Sequence, residues 1–268
     1  MNVHDFQSLI WQKGNELFRE MPWRTSTNPY YVLVSELMLQ QTQVDRVIPK
    51  FEAFIAAFPT IQSLAEASLA EVLTLWSGLG YNRRAKFLHM AAQATVANFG
   101  GQIPQTLKEL VTLPGVGPNT AGAIMAYSFN QPVDFIETNI RTVYFYHFFP
   151  DSITVSDAEL KEKIAETADT EHPREWYWAM MDYGSWLKRQ GYGANNKSAH
   201  YKKQAPLKGS LREMRGMLLK ILSKAEKSYA ELTELYAEDP RYTLAMQALL
   251  QEGLIQQSGD TIHLPKPL

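Results

Sequence analysis

One stretch constrains the fold more than any other: Leu107-Lys108-Glu109-Leu110-Val111-Thr112-Leu113-Pro114-Gly115-Val116-Gly117-Pro118-Asn119-Thr120-Ala121-Gly122-Ala123-Ile124. Apolar residues at helical spacing lead up to Leu113, and Pro114, Gly115 and Gly117 then break the helix around the single apolar Val116. Pro118 suits the first turn of a second helix. That helix runs through Thr120, Ala121, Gly122, Ala123 and Ala126, small enough to let two helices approach closely. The pattern reads as helix–hairpin–helix. Free N–H groups at the second helix's N-terminus make an anion site suited to a phosphate backbone. An ordinary αα-turn with a glycine C-cap is the plain alternative.

The order L-P-G-V-G-x-x-T-A is specific, and an acid follows in Phe135-Ile136-Glu137-Thr138-Asn139-Ile140-Arg141. Further phrases are Met21-Pro22-Trp23-Arg24, Ser35-Glu36-Leu37-Met38-Leu39-Gln40-Gln41-Thr42-Gln43-Val44, Trp76-Ser77-Gly78-Leu79-Gly80-Tyr81 and Ala179-Met180-Met181-Asp182-Tyr183-Gly184. On these phrases, from Met21 to Tyr183, the chain resembles the helix–hairpin–helix DNA glycosylase superfamily, and most of all the adenine DNA glycosylases of the MutY type.

The 268 residues suffice for one large domain or two unequal ones, and a hydrophobic share of 45% supports a real core. The formal net charge is only −2, so any nucleic-acid site must be a local patch. There are no cysteines, which excludes disulfides, thiolate zinc and thiolate-held iron–sulfur clusters. The six histidines lack metal spacing, so no metal and no cofactor are expected. No leader or membrane span is legible, and a cytoplasmic monomer without membrane contact is expected.

Helical periodicity covers 6–20, 29–43, 51–58, 61–65, 70–77, 83–98, 157–170 and 173–187, with almost no strand pattern before Lys208. Residues 188–205 shift to Gly, Asn, Lys, Ser and His. Helices at 211–222, 229–236 and 241–251 precede an apolar–polar hairpin around Ser258-Gly259-Asp260, which predicts a small winged helix. The expected organisation is all-α: a two-lobed glycosylase domain over 1–207, with the active site between its lobes, and a winged-helix-like domain over 208–268.

Cleaving an N-glycosidic bond builds positive charge on the sugar and negative charge on the leaving base, which a pair of carboxyls can serve. Glu36 lies in an apolar helix, where desolvation favours the proton-bearing form. The resemblance implies that it protonates adenine; a buried pair with Arg24 is the alternative. Glu137 stands where the family has an aspartate and implies stabilisation of the sugar cation, the alternative being a helix-capping acid. Asn119 replaces the lysine of bifunctional relatives and cannot form a Schiff base; it matches neither the serine of adenine glycosylases nor the tyrosine of thymine-mismatch relatives. The resemblance places Trp23, Arg24, Asn119 and Asp182 around the base, although Trp23 also suits a core and Asp182 a helix surface.

Base chemistry requires the nucleotide to leave the stack. Gln41, with Thr42, Tyr81 and Asn82, matches the segment that enters the duplex; Asn82 departs from the family's second tyrosine. Gly115, Val116 and Gly117 would bind phosphate, and Lys197, Lys202 and Lys203 belong to a basic run that would add to the grip. The implied partner is duplex DNA carrying a mismatch or lesion. The implied activity is monofunctional excision, of adenine first. Thymine or uracil excision and a non-catalytic DNA-binding module are the alternatives.

Overall fold

The computed structural model describes residues 1–193, 197–198 and 205–266. The chain is mostly helical and divides into two compact units, one comprising Met1–Leu33, Gln105–Thr112 and Val116–Lys203, the other Val34–Pro104, Leu113–Gly115 and Gln204–Leu268.

The first unit contains α1 (Val3–Leu17), a short 3₁₀ turn (Pro22–Arg24) and the start of α2 (Pro29–Leu39). It also holds α7 (Leu107–Leu110), α8 (Pro118–Phe129), α9 (Thr138–His147), α10 (Asp157–Thr167) and α11 (Pro173–Arg189). α11 is central and packs on α1, α8 and α9. Close approach is built with small residues. A Cβ on Gly14 would fall 2.6 Å from the Ala179 Cβ, and one on Gly184 would fall 2.3 Å from the Asn139 carbonyl oxygen. Phe6 sits among aromatic rings, with centroids 4.8 Å from Phe148, 5.4 Å from Tyr144 and 6.1 Å from Trp176. Such edge and tilted contacts add to burial energy.

The second unit holds α3 (Val44–Ala57), α4 (Ile61–Glu66), α5 (Leu69–Trp76) and α6 (Arg83–Phe99), followed by the C-terminal segment. Capping boxes open α4 at Thr60/Ser63 and α5 at Ser68/Glu71. The C-terminal segment contains α12 (Leu211–Leu222), β1 (Lys227–Ser228), α13 (Tyr229–Tyr236), α14 (Tyr242–Gln251), β2 (Gln256–Ser258) and β3 (Thr261–His263). The strands form an antiparallel sheet of order β1-β3-β2, with Ile262 opposite both Lys227 and Gln257. Met214 and Leu218 of α12 are buried, as are Ala245 and Leu249 of α14, and the two helices pack together.

Element boundaries differ from the sequence reading where prolines and turns intervene. α3 begins at Val44 and tolerates Pro49 within it, where the sequence suggested a helix only from Phe51. α7 is a single turn ending at Leu110, not a helix to Leu113. α9 follows Glu137 as the helix-capping alternative for that acid required, and the two-residue β1 is too short to carry a periodicity.

The Gly184 contact generates a prediction. Gly184→Ala must push α11 away from the start of α9, at a cost of about 1–3 kcal/mol by overpacking. Urea denaturation should show a lowered midpoint with unchanged slope.

Candidate active site

Glu36 lies on α2, half-buried, between the fully buried Leu33, Val34, Leu37 and Met38. Below it the helix ends on a guanidinium. Arg84 Nη1 donates to the carbonyls of Leu37 (2.6 Å), Met38 (2.9 Å) and Gln40 (2.6 Å). Its Nη2 donates to Thr42 Oγ1 and the Gly80 carbonyl, both at 3.1 Å. The group stacks between Trp76 and Tyr81, 5.4 Å from each ring centroid, and burial pushes its pKa down to about 10. Arg84 thus satisfies the orphan carbonyls of α2 and fixes the turn that carries Gln41 and Thr42. Gln41 is exposed and Asn82 half-buried. Gln41 and Tyr81 adopt left-handed backbone, with φ of 55° and 49°. Non-glycine residues seldom do so, and such strain gathers at functional sites.

Glu137 belongs to the other unit and is the N-cap of α9, its carboxylate accepting the Asn139 N–H at 2.6 Å. Burial pushes its pKa up; the Asn139 N–H and the charge of Lys188 pull it back. Lys188 lies one helical turn beyond Gly184 on α11, the glycine against which the Asn139 backbone rests. Burial pushes the Lys188 ammonium down, and Glu137 opposes that shift. The segment leading into Glu137 is pinned by Asn119, whose Oδ1 accepts the Ile136 N–H at 3.2 Å.

Asp182 is only 1% exposed. It accepts from Arg19 Nε (2.7 Å), from the Arg19 backbone N–H (3.2 Å) and from Arg24 Nη1 (2.7 Å) and Nη2 (3.1 Å). Arg24 also stacks over Phe18 and Trp178, 5.5 and 5.4 Å from their centroids. Trp23 is buried beside it. Arg24 therefore pairs with Asp182, and Asp182 is an interior acid rather than a helix-surface one.

In the hairpin, Gly115 has φ +77° and lies so close to Phe87 that a Cβ would fall 2.8 Å from that residue's Cβ. Val116 is buried. Gly117 starts α8 with no side-chain cap and with open space where a Cβ would stand. Lys197 Nζ donates to the carbonyls of Phe149 (3.0 Å) and Pro150 (2.5 Å). Lys202 and Lys203 lie outside the described residues. Among the described residues no group of three His, Asp or Glu is placed to hold a metal ion, and no helix is long and apolar enough to cross a membrane. Sequence reasoning missed Arg84 and Arg19, because a basic residue on an amphipathic helix or in a loop looks like solvated surface, and it read Lys188 only as the start of the basic run and not as a charge beside Glu137.

Comparison with known proteins places these residues in context. A family model described as HhH-GPD superfamily base excision DNA repair protein matches residues 34–169. The adenine DNA glycosylase of Mycolicibacterium smegmatis is 30% identical over 285 aligned positions, covering 97% of this chain and 95% of that protein. That of Buchnera aphidicola subsp. Baizongia pistaciae is 35% identical over 171 positions, 62% of this chain; the match spans about half, 48%, of the Buchnera protein. Among solved structures, a thermostable thymine-DNA glycosylase superposes with TM-score 0.61 at 22% identity, covering 68% of this chain and 86% of that one, and so shares the fold.

The desolvated Glu137 generates a prediction about stability. A carboxyl whose folded pKa is raised contributes fully below its unfolded value, near 4.5, and that contribution is lost as pH rises through the folded value. Glu137→Gln removes the ionisable group yet keeps an acceptor for the Asn139 N–H. Thermal melts at pH 7 should therefore show the variant at least as stable as the parent, with any gain vanishing as the pH falls toward 4.5.

Proposed function

This chain belongs to the HhH-GPD superfamily of base excision DNA repair proteins, and from that premise we propose that it is a DNA glycosylase hydrolysing the N-glycosidic bond of adenine mispaired with guanine or 8-oxoguanine in duplex DNA. The observation that carries the reading is the likeness to an adenine DNA glycosylase along nearly the whole chain, together with two carboxyls, Glu36 and Glu137, each in a setting suited to one half of the chemistry.

Glu36, the one charged residue of α2, delivers a proton to the adenine as the bond from sugar C1′ to the base nitrogen breaks and its electron pair leaves with the base. Glu137, held as an N-cap and faced by Lys188, presents negative charge to the cationic sugar that remains. Water adds at C1′ and loses a proton, leaving free adenine and an abasic site. Asn119 offers no amine and already accepts the Ile136 N–H, so the enzyme is monofunctional. Gly117 and the uncapped start of α8 bind a phosphate through backbone N–H groups. Trp23, Arg24 and Asp182 support the base pocket from behind through the pairing of Arg24 with Asp182. Lys197, Lys202 and Lys203 remain candidates for phosphate contact. The three helices and antiparallel sheet of the C-terminal segment are read as a winged helix spanning 208–268, and the protein as a cofactor-free monomer.

A panel of duplexes, each with one mismatch or lesion, tests the substrate. Adenine opposite guanine or 8-oxoguanine should be excised, and strands should break only after alkali. Excision of thymine or uracil instead, or of nothing, overturns the reading. Glu36→Gln should lower single-turnover excision about 10²–10⁴-fold while DNA affinity is retained. Borohydride should trap no covalent adduct with the parent protein; stoichiometric trapping would contradict a monofunctional enzyme.

A further inference from the structure

A cavity of about 560 Å³ opens within the second unit, the size of a small-molecule site. Gln41, Tyr81 and Asn82 line one side; Leu211, Arg212 and Arg215, from the start of α12, line the other. The C-terminal segment is fastened there. Arg212 Nη1 donates to the Tyr81 hydroxyl, and its guanidinium stacks 4.9 Å from that ring's centroid. Lys86 Nζ donates to the Glu252 carbonyl, and Arg83 Nε lies 3.9 Å from the Glu252 carboxylate.

The charges of the cavity do not balance. Arg84 is spent on backbone carbonyls. Arg215 forks onto Glu252, the same carboxylate that Arg83 approaches. Arg212 has only neutral partners among the described residues, the Tyr81 hydroxyl and the Ala205 carbonyl. It also occupies the first turn of α12, where the helix dipole disfavours a cation. Two side chains of the cavity, Gln41 and Tyr81, hang on left-handed backbone. A donor-rich lining, an unneutralised guanidinium and strained backbone converge on one space.

We propose that α12 completes a nucleobase pocket in which Arg212 reads the unpaired base of the strand opposite the excision. The inference rests on the glycosylase reading, under which Gln41 and Asn82 enter the duplex and leave that base beside them. Phe87, Leu211 and the Tyr81 ring give the cavity apolar walls, which suit a flat base better than a phosphate. Stacked on Tyr81, the Arg212 guanidinium still has N–H donors along its edge. Such an edge selects a base with two adjacent acceptors, as guanine presents through O6 and N7. Adenine, which places a donor beside its acceptor, and cytosine, whose exocyclic group donates, fit worse.

The test is equilibrium binding of the full chain to duplexes bearing a stable tetrahydrofuran abasic analogue opposite guanine, cytosine or a second analogue that lacks any base. These are product-like ligands and need no catalysis. The parent should favour guanine over the baseless partner by about 10-fold or more. Arg212→Gln should reduce that ratio below about 2-fold while affinity for the baseless duplex is kept, and Arg212→Lys should do the same because a point charge lacks the fork. Equal loss on all three duplexes would mean a phosphate or structural contact and would overturn the proposal, as would full discrimination in either variant. A protein that binds as expected but excises no adenine would sink the proposed function and leave the pocket standing.

Discussion

The buried guanidinium of Arg84 is the contact on which the second unit's candidate site surface depends. The last carbonyls of a helix have no partners within it, and at the end of α2 Arg84 supplies them. One planar fork meets three of them, then reaches across to Thr42 and Gly80. Lysine would carry the charge without the fork. Glu36 stands one turn above this junction and Gln41 just below it, so the same bonds fix the register of a half-buried acid and of an exposed amide. Desolvation lowers the Arg84 pKa to about 10, which leaves it charged at neutral pH. A charge buried this way is held by its hydrogen bonds, and removing it would strand several acceptors together.

The first unit solves a related problem with the opposite sign. Asp182 draws Arg19 and Arg24 onto α11, and the 3₁₀ turn carrying Trp23 follows. Breaking such a pair on one side leaves an uncompensated charge, which is why ion pairs of this depth specify position more than they add stability. Glu137 is different. It has a backbone N–H and the more distant Lys188 charge, and burial still holds its pKa up. A carboxyl group whose charged form burial disfavours is poorly stabilised as an anion at rest, and a cation developing beside it would relieve that penalty.

Much of this was legible in the sequence, for identifiable reasons. The hairpin announced itself because Pro114, Gly115, Gly117 and Pro118 each have few backbone options. Glu36 was legible because a lone acid in an apolar helix is expensive. The three C-terminal helices and the last two strands were visible from their periodicity and from Asp239-Pro240 and Gly253. What stayed hidden depends on long-range contact. Gly115 suggested an open N–H, whereas its left-handed φ and its approach to Phe87 are what require glycine there. Asp182 allowed a pocket or a surface reading, and only the fold supplies Arg19 from 163 residues away. Arg84 and Lys188 sit on helices whose polar positions look solvated until the partner backbone is in place. Pro49 masked the first turns of α3, because a proline there loses one helical bond without ending the helix.

The central claim is that this scaffold stabilises a cationic sugar through Glu137 while Glu36 serves the base. It is tested most directly by comparing the affinity of the protein for two otherwise identical duplexes. One carries a positively charged pyrrolidine in place of the target sugar, the other its neutral tetrahydrofuran counterpart. The account predicts that the cationic duplex binds about 10²-fold tighter or more, as a transition-state mimic should, and that Glu137→Gln removes most of that preference without weakening binding to the neutral duplex. Equal affinity of the parent protein for the two duplexes would contradict it.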